Sequence, residues 1–349
     1  YITPVLQHSI LIFSYPFFLF FIFSLTPNNQ KNVFVLVPII LVFGVIQVYG
    51  INKFNGSNEF ARFKEIANHI DDADKKYGSN NITRGINVTD SSYIGYYLSK
   101  LNNKSPFVFY HNAGREQLSE IVNVVNRAKT PYFLYCWTNS DCPPEINQII
   151  QDTYPYLIEK VHYFNSEFYL YSKNNVDSAI KINSLEKMYC QNYEDMVKDF
   201  SIASVTNIDT IDENIINHFE VMNDKIEYSS TFTKPLSEIL NTTSNIIHAT
   251  VLVRSTDLTN NASLVFSINH GEENYFWSAF NLKSFIINKG NWNKCYYSIR
   301  LPIIKSKDDI LKVYVLNNEK KNIQIDDFTI KIEQGNENLY GIRKDKHFL

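Results

Sequence analysis

Few side chains in this sequence have the types and spacing that catalysis requires. The chain has no G-x-G-x-x-G or G-x-x-x-x-G-K phosphate-binding pattern and no G-x-S-x-G nucleophile elbow. Three histidines between positions 69 and 162 are too widely separated for the usual metal-ligand spacings. Asp71, Asp72 and Asp74 lie together but lack the glycine and distal glutamate of a calcium loop, which favours a solvated helix end. The sequence therefore predicts no catalytic residue.

Asp90, Ser91 and Ser92 are polar residues at the junction between a predicted strand and a predicted helix. In an open α/β sheet this carboxyl end of a strand is where ligands bind. Aspartate is also a preferred N-cap, because its carboxylate accepts a hydrogen bond from a free backbone N–H of the first turn. We favour the capping role for Asp90.

The four cysteines have no diagnostic spacing. No C-x-x-C pair occurs among Cys136, Cys142, Cys190 and Cys295. A disulfide between Cys136 and Cys142 would close a short loop in an oxidising compartment, but the spacing identifies neither a disulfide framework nor a metal site. Both alternatives stay open at this stage.

The first 52 residues predict two transmembrane helices. Residues 9–25 and 32–52 contain no charged side chain, and Lys31 lies in the short connection between them. Each stretch is close to the ~20 apolar residues that a spanning helix needs. The lysine favours a cytoplasmic turn, which would make the protein an integral membrane protein, in contact with membrane lipid, with the rest of the chain extracytoplasmic. Because the first residue is Tyr1, we expect the chain to be a fragment of a longer protein.

Residues 53–175 predict a small three-layer α/β domain with a partly parallel sheet. Helical and strand patterns alternate along the region, as expected for helices packed on both faces of a sheet. The predicted elements are a helix at 59–77, a strand at 82–88, a helix at 91–101, a strand at 107–110, a helix at 117–127, a strand at 132–137, a helix at 143–150 and a closing hairpin over 157–171. Residues 176–218 are more polar and predict a linker with one helix at 184–200.

The segment 219–342 predicts an all-β sandwich of jelly-roll type. Apolar residues alternate with polar ones, and turn residues separate short strands without a long helix between them. The predicted strands are 225–232, 246–254, 262–269, 275–280, 294–301, 311–316 and 323–333. The apolar phase shifts at Asp326-Asp327 in the last strand, which predicts a β-bulge there.

The N-terminal part resembles one family of membrane enzymes. Tyr1-Ile2-Thr3-Pro4-Val5-Leu6, at the head of a predicted span, resembles the "RY-x-x-P" entry to a late membrane helix of the GT-C glycosyltransferases. These enzymes transfer sugars from polyprenyl-phosphate donors, and a span hairpin followed by a small α/β domain is similar to their C-terminal portion. The resemblance covers residues 1–172. It implies that the catalytic carboxylates belong to loops upstream of this chain, so no catalytic residue is carried over.

The C-terminal part resembles jelly-roll carbohydrate-binding modules. The similarity rests on Phe219-Glu220 at the start, Trp277 and Trp292 in the middle, and the segment 325–328 (IDDF) near the end. In many such modules an early Glu and a late Asp share a structural calcium ion. The resemblance implies that Glu220 and Asp326 are the matching ligands, since hard oxygen ligands suit Ca²⁺. The alternative is a surface acid pair at a strand end.

Aromatic side chains of the sandwich are the candidate carbohydrate-binding residues. Large aromatics are more often core residues, and half of those on an alternating strand must face the core. From the candidates Tyr275, Phe276, Trp277, Trp292, Tyr296 and Tyr297 we select Trp292, Trp277 and Tyr297. Trp292 follows Gly290 in a turn-like segment, which favours its exposure.

Two functions of different classes fit these observations. The first is the C-terminal part of a membrane glycosyltransferase-like protein of cell-envelope glycan assembly, with a polysaccharide or polyprenyl-linked glycan as partner. The second is a non-enzymatic, membrane-anchored protein that binds glycan or protein. An enzyme within the α/β domain is a weaker third hypothesis, because no nucleophile has a base partner. With 20 % charged residues and a net charge of −3, nothing indicates nucleic-acid binding.

Overall fold

The computed structural model describes Phe17 and residues 62–111, 114–139, 142–176, 179–181, 187–193, 199–201, 206–212, 215–240, 242, 244–257, 261–286 and 288–335. Apart from Phe17, the two predicted transmembrane helices lie outside these residues. None of the helices within the described ranges combines the length and hydrophobicity that crossing a bilayer requires. The chain divides into two compact units, residues 1–59 and residues 60–349, and everything below concerns the second.

The second unit begins with the predicted three-layer α/β arrangement. Its sheet has the strand order β2-β1-β3-β5-β4-β6, with β2, β1 and β3 parallel and the others antiparallel. The strands are β1 (Ile82–Val88), β2 (Phe109–His111), β3 (Tyr132–Thr138), β4 (Tyr156–Tyr163), β5 (Ser166–Ser172) and β6 (Ile180–Lys181). Four helices cover the sheet: α1 (Phe63–Tyr77), α2 (Ser91–Lys100), α3 (Leu118–Arg127) and α4 (Glu145–Thr153). The partly parallel sheet predicted from the sequence is confirmed.

The layers follow from the alternation of side chains along the strands. In β3, Leu134 and Cys136 pack with apolar residues of α1 and α2, whereas Phe133, Tyr135 and Trp137 pack with those of α3 and α4. Asp90 caps α2 as predicted, because its side chain accepts a hydrogen bond from the Ser92 N–H at 2.8 Å. Asn165, in the turn between β4 and β5, adopts φ 52°, a conformation that asparagine tolerates better than most residues.

The remaining strands form two antiparallel sheets stacked as a sandwich. The first sheet has the order β15-β12-β17-β10-β9, with β7 also paired to β17, and the second has the order β14-β13-β16-β11-β8. The ranges are β7 (Lys187–Gln191), β8 (Phe200–Ser201), β9 (Thr206–Asp212), β10 (Ile215–Met222), β11 (Thr231–Pro235), β12 (Asn245–Arg254), β13 (Ser263–His270), β14 (Glu273–Asn281), β15 (Trp292–Arg300), β16 (Ile310–Leu316) and β17 (Ile323–Gln334). A short helix, α5 (Leu236–Ile239), follows β11. The predicted sandwich is present.

The sandwich takes in residues that the sequence assigned to a linker. The predicted helix at 184–200 is wrong where the structure describes it, because Lys187–Gln191 forms strand β7. Tyr189 packs its ring 5.0 Å from that of Phe232, and its backbone pairs with Ile330 of β17. Pairing with a strand about 140 residues away overrides the local helical pattern, since propensity is a weak prior.

The predicted bulge at Asp326-Asp327 is confirmed. Pairing of β12 with β17 shifts register between Thr250 and Leu252, which face Thr329 and Asp326. Asp327 lies at φ 45°, and its N–H donates to Asp326 Oδ1 at 2.7 Å. One extra residue on β17 therefore moves the following side chains to the other face.

The α/β region packs against the outer surface of the first sandwich sheet, hereafter the covered sheet. Glu145, at the start of α4, accepts a hydrogen bond from the Ser298 N–H of β15 at 2.8 Å. Tyr296 on the same strand donates to Asp152 at 2.5 Å. Polar residues that would face water in an isolated sandwich are consequently buried, including His248 (1 % exposed) and Lys331 (6 % exposed). Burial lowers the pKa of Lys331 to about 8, which neighbouring carboxylates only partly oppose.

Candidate functional site: the aromatic face of the open sheet

The second sandwich sheet, hereafter the open sheet, has an outer surface that bears exposed aromatic side chains. Its inward residues, such as Phe266 and Phe276 on neighbouring strands, belong to or pack against the core, so the residues between them point outward. Trp277 points outward from the edge strand β14 and is 55 % exposed, and Tyr228 is 51 % exposed. Exposed aromatics of this size on a sheet are a feature of binding surfaces.

Three rings make up this surface, which we call the aromatic face: Trp277, Tyr314 and Tyr228. The rings of Tyr228 and Tyr314 are 5.6 Å apart between centroids. Burial raises the pKa of the Tyr314 hydroxyl, and a hydrogen bond with the Trp277 side chain opposes this effect. The two rings on strands β14 and β16 are therefore in contact, and the third continues the surface beyond β16.

Small residues beneath the rings allow them to lie close to the sheet. Ser267 pairs with Trp277 on one side and with Lys312 on the other. Val265 is next to Tyr314 in the same way, and both Ser267 (3 % exposed) and Val265 (0 %) are buried although they lie on the outer side of the sheet. Aromatic rings standing over small neighbours form a shallow apolar platform. Such a platform suits the flat apolar face of a sugar ring, which buries its C–H groups on an aromatic surface.

An anchored loop borders the aromatic face at one end. Asp309, which is 1 % exposed, accepts hydrogen bonds from the Tyr275 hydroxyl at 2.6 Å and from the His270 ring at 2.7 Å. It also accepts from the backbone N–H groups of Lys305 and Ser306, at 3.0 and 2.9 Å. Burial raises the pKa of Asp309, but these hydrogen bonds together hold it below the usual value. The carboxylate thus fixes the loop before β16 and the ring of Tyr275 beside Trp277.

The three carbohydrate-binding residues predicted from the sequence occupy different environments. Trp277 is exposed on the open sheet. Trp292 begins β15 on the covered sheet, where its half-buried ring lies 5.9 Å from that of Phe219 and 4.7 Å from the Arg254 guanidinium. Tyr297 is 3 % exposed, and its ring packs against Phe280 in the core. The structure does not bring the three together, and sugar binding by each of them stays a prediction.

Two members of the aromatic face were not among the predicted residues. Tyr314 sits at an outward position in the alternating segment 311–316, so the period-two pattern carries a signal for it. Tyr228 lies in an extended segment outside the named strands and forms only an isolated bridge to Leu316. No local pattern distinguishes Tyr228 from the other tyrosines of the chain.

The two predicted calcium ligands are buried acids. Glu220 is 0 % exposed and Asp326 is 5 % exposed. Glu220 accepts hydrogen bonds from the Ser230 N–H at 3.0 Å and from the Tyr193 hydroxyl at 2.8 Å. Around Glu220 these groups supply hydrogen-bond donors rather than oxygen ligands. Within the described ranges, moreover, no three His, Cys, Asp or Glu side chains are grouped to hold a metal ion. A calcium ion at this pair stays a prediction.

The cysteines are free thiols. Cys136, Cys142 and Cys295 are buried, and Cys190 is partly exposed. Burial raises the pKa of the Cys136, Cys142 and Cys295 thiols, which keeps them protonated and unreactive at neutral pH. The short disulfide loop considered from the sequence is therefore not formed.

Known structures similar to this chain include several carbohydrate-binding modules. No protein-family model and no curated protein matches the sequence. The CBM22-2 xylan-binding domain of Paenibacillus barcinonensis Xyn10C has 13 % identity and a TM-score of 0.28, over 42 % of this chain and 99 % of that domain. The CBM35 of Cellvibrio japonicus Abf62 has 11 % identity and a TM-score of 0.28, over 43 % of this chain and 99 % of that module.

A third similar structure is the C-terminal family 22 carbohydrate-binding module of Clostridium thermocellum Xyn10B. It has 11 % identity and a TM-score of 0.27, over 41 % of this chain and 90 % of that module. Because these TM-scores and identities are low, the similarity supports no conclusion about function. The function has to be argued from the residues of this chain.

Proposed function

We propose that the sandwich is a carbohydrate-binding domain that holds a polysaccharide on the aromatic face of the open sheet. One observation supports this function above the others: Trp277, Tyr314 and Tyr228 form a contiguous surface that remains exposed while the covered sheet is buried under α4. Platforms of this kind fix a chain of sugar rings by stacking, and the hydroxyls at their margins form hydrogen bonds with the sugar hydroxyls.

The test is the loss of polysaccharide binding in Trp277→Ala. Removing an exposed ring from the centre of an interface costs about 2 kcal/mol, which corresponds to a Kd increase of about 30-fold. We expect this increase in affinity electrophoresis or glycan-array titration of the purified chain, starting with xylan and cellulose. Tyr96→Ala is the matched control, since Tyr96 is an aromatic residue 54 % exposed on helix α2, outside the sandwich.

The comparison between the two variants decides the proposal. Equal affinities of Trp277→Ala and wild type for a polysaccharide that wild type binds would contradict it. The absence of binding to every polysaccharide on the array would contradict it as well. In that case the second hypothesis, a surface that binds a protein partner, would explain the exposed rings.

We further propose that residues 1–52 anchor this binding domain in a membrane, with the α/β region and sandwich on the extracytoplasmic side. The support is the two uncharged stretches at 9–25 and 32–52. In this arrangement the protein is the C-terminal part of a GT-C-like glycosyltransferase and presents a cell-envelope glycan or polyprenyl-linked glycan to an upstream catalytic part. Carbonate extraction of membranes should leave the chain in the pellet. Its release into the supernatant would refute the anchoring.

A further inference from the structure

A second cleft lies at the open edge of the sandwich, where the edge strand β14 of the open sheet meets the edge strand β15 of the covered sheet. Phe276 and Ser278 line it from β14, and Tyr297 and Arg300 line it from β15. The α/β region closes its other side with the segments around Arg115 and residues 142–144. The cavity volume is about 540 Å³, within the ~300–1,000 Å³ range of small-molecule sites.

The electrostatics of this junction cleft depend on two arginines that differ in their partners. Arg115 donates from Nε to Glu145 at 2.8 Å and from a terminal nitrogen to the Ser298 carbonyl at 2.9 Å, so the buried Glu145 offsets its charge. No hydrogen bond or ion pair joins the Arg300 guanidinium to another described side chain. The other acid near the cleft is Glu167, which is buried and accepts from Trp137 and from Tyr169.

The uncharged residues of the cleft fit a sugar ring. Phe276 presents a half-buried aromatic ring, and the Ser278 and Tyr297 hydroxyls lie 2.5 Å apart as a pair of donors and acceptors. Burial raises the pKa of the Cys142 thiol at the cleft wall, so this group is neutral and adds no negative charge. A free guanidinium therefore stands beside an aromatic ring and a hydroxyl pair.

We propose that the junction cleft binds an acidic saccharide, with the carboxylate of a uronic acid held by Arg300. A guanidinium pairs with a carboxylate through two parallel N–H···O bonds, which a neutral sugar cannot form. The Phe276 ring packs against the sugar, and the hydroxyl pair binds its hydroxyl groups. This site differs from the aromatic face in its residues and in the charge of its ligand, and it does not depend on that face.

Three probes test the site by isothermal titration calorimetry: a disaccharide containing glucuronic acid, its carboxyl-reduced counterpart and inorganic phosphate. We expect the acid form to bind at least 10-fold more tightly than the reduced form. Arg300→Met should abolish this preference, and Arg300→Lys should retain part of it, because lysine keeps the charge but loses the bidentate geometry. Lys320→Met is the control for the loss of one exposed cation.

Each outcome decides between the saccharide site and its alternatives. Equal binding of the acid and reduced forms, or an unchanged Kd in Arg300→Met, overturns the proposal. Phosphate binding as tight as that of the acid form shows a general oxyanion site and overturns the saccharide assignment. Trp277→Ala is expected to leave binding of the acid form unchanged. Loss of that binding in Trp277→Ala would place the ligand on the aromatic face and overturn the cleft site, whatever the result for neutral polysaccharides.

Discussion

Replacing Asp74 with alanine is expected to lower the free energy of unfolding by about 3–5 kcal/mol, because the change leaves a buried arginine without its counter-charge. Arg84 on β1 is 2 % exposed and pairs with the Asp74 carboxylate of helix α1. Asn103 also donates to Asp74, at 2.8 Å, which connects the loop after α2 to the same carboxylate. The pair therefore joins helix, strand and loop at one edge of the α/β sheet.

Urea denaturation followed by tryptophan fluorescence measures this effect, since Trp137 is buried in the same sheet. Asp72→Ala is the matched control, because Asp72 is an exposed carboxylate on the same helix and its loss should change stability by less than about 0.5 kcal/mol. The double variant Asp74→Leu/Arg84→Met should recover most of the loss, since an apolar pair requires no charge compensation. Equal stabilities of Asp74→Ala and Asp72→Ala would show that water compensates Arg84.

Glu145→Ala is expected to weaken the attachment of the α/β region to the sandwich. Glu145 is completely buried and accepts hydrogen bonds from Ser298 of the covered sheet and from Arg115. Alanine leaves both donors without their acceptor, at a cost of about 1–3 kcal/mol for the buried N–H and more if the guanidinium is not hydrated. The expected total loss is about 2–4 kcal/mol.

Hydrogen exchange distinguishes a weakened junction from general destabilisation. The Ser298 amide should lose protection in Glu145→Ala, whereas amides in the middle of β3 should keep theirs under native conditions. Glu145→Gln is the conservative control, because its amide oxygen still accepts from Ser298 although the charge is lost. Unchanged protection of Ser298 in Glu145→Ala would show that the contact does not hold the two regions together.

Much of the architecture is predictable from local patterns in the sequence. The α/β alternation, the Asp90 cap, the turn at Asn165 and the bulge at Asp326-Asp327 all depend on residues close in sequence. Each of these is decided by backbone preferences or by hydrogen bonds over a few residues, so a single sequence contains the information. The predicted helix at 184–200 failed for the opposite reason, because pairing of β7 with β17 is a contact distant in sequence.

The candidate sites were decided by tertiary structure. Alternation shows that Phe276 and Trp277 point in opposite directions, but not which of the two faces the core. That choice depends on the partner sheet, and the exposure of a whole sheet depends on whether α4 covers it. Sequence therefore determined which side chains share a face, whereas only packing decided which face remained in water, because burial is a property of all the layers together.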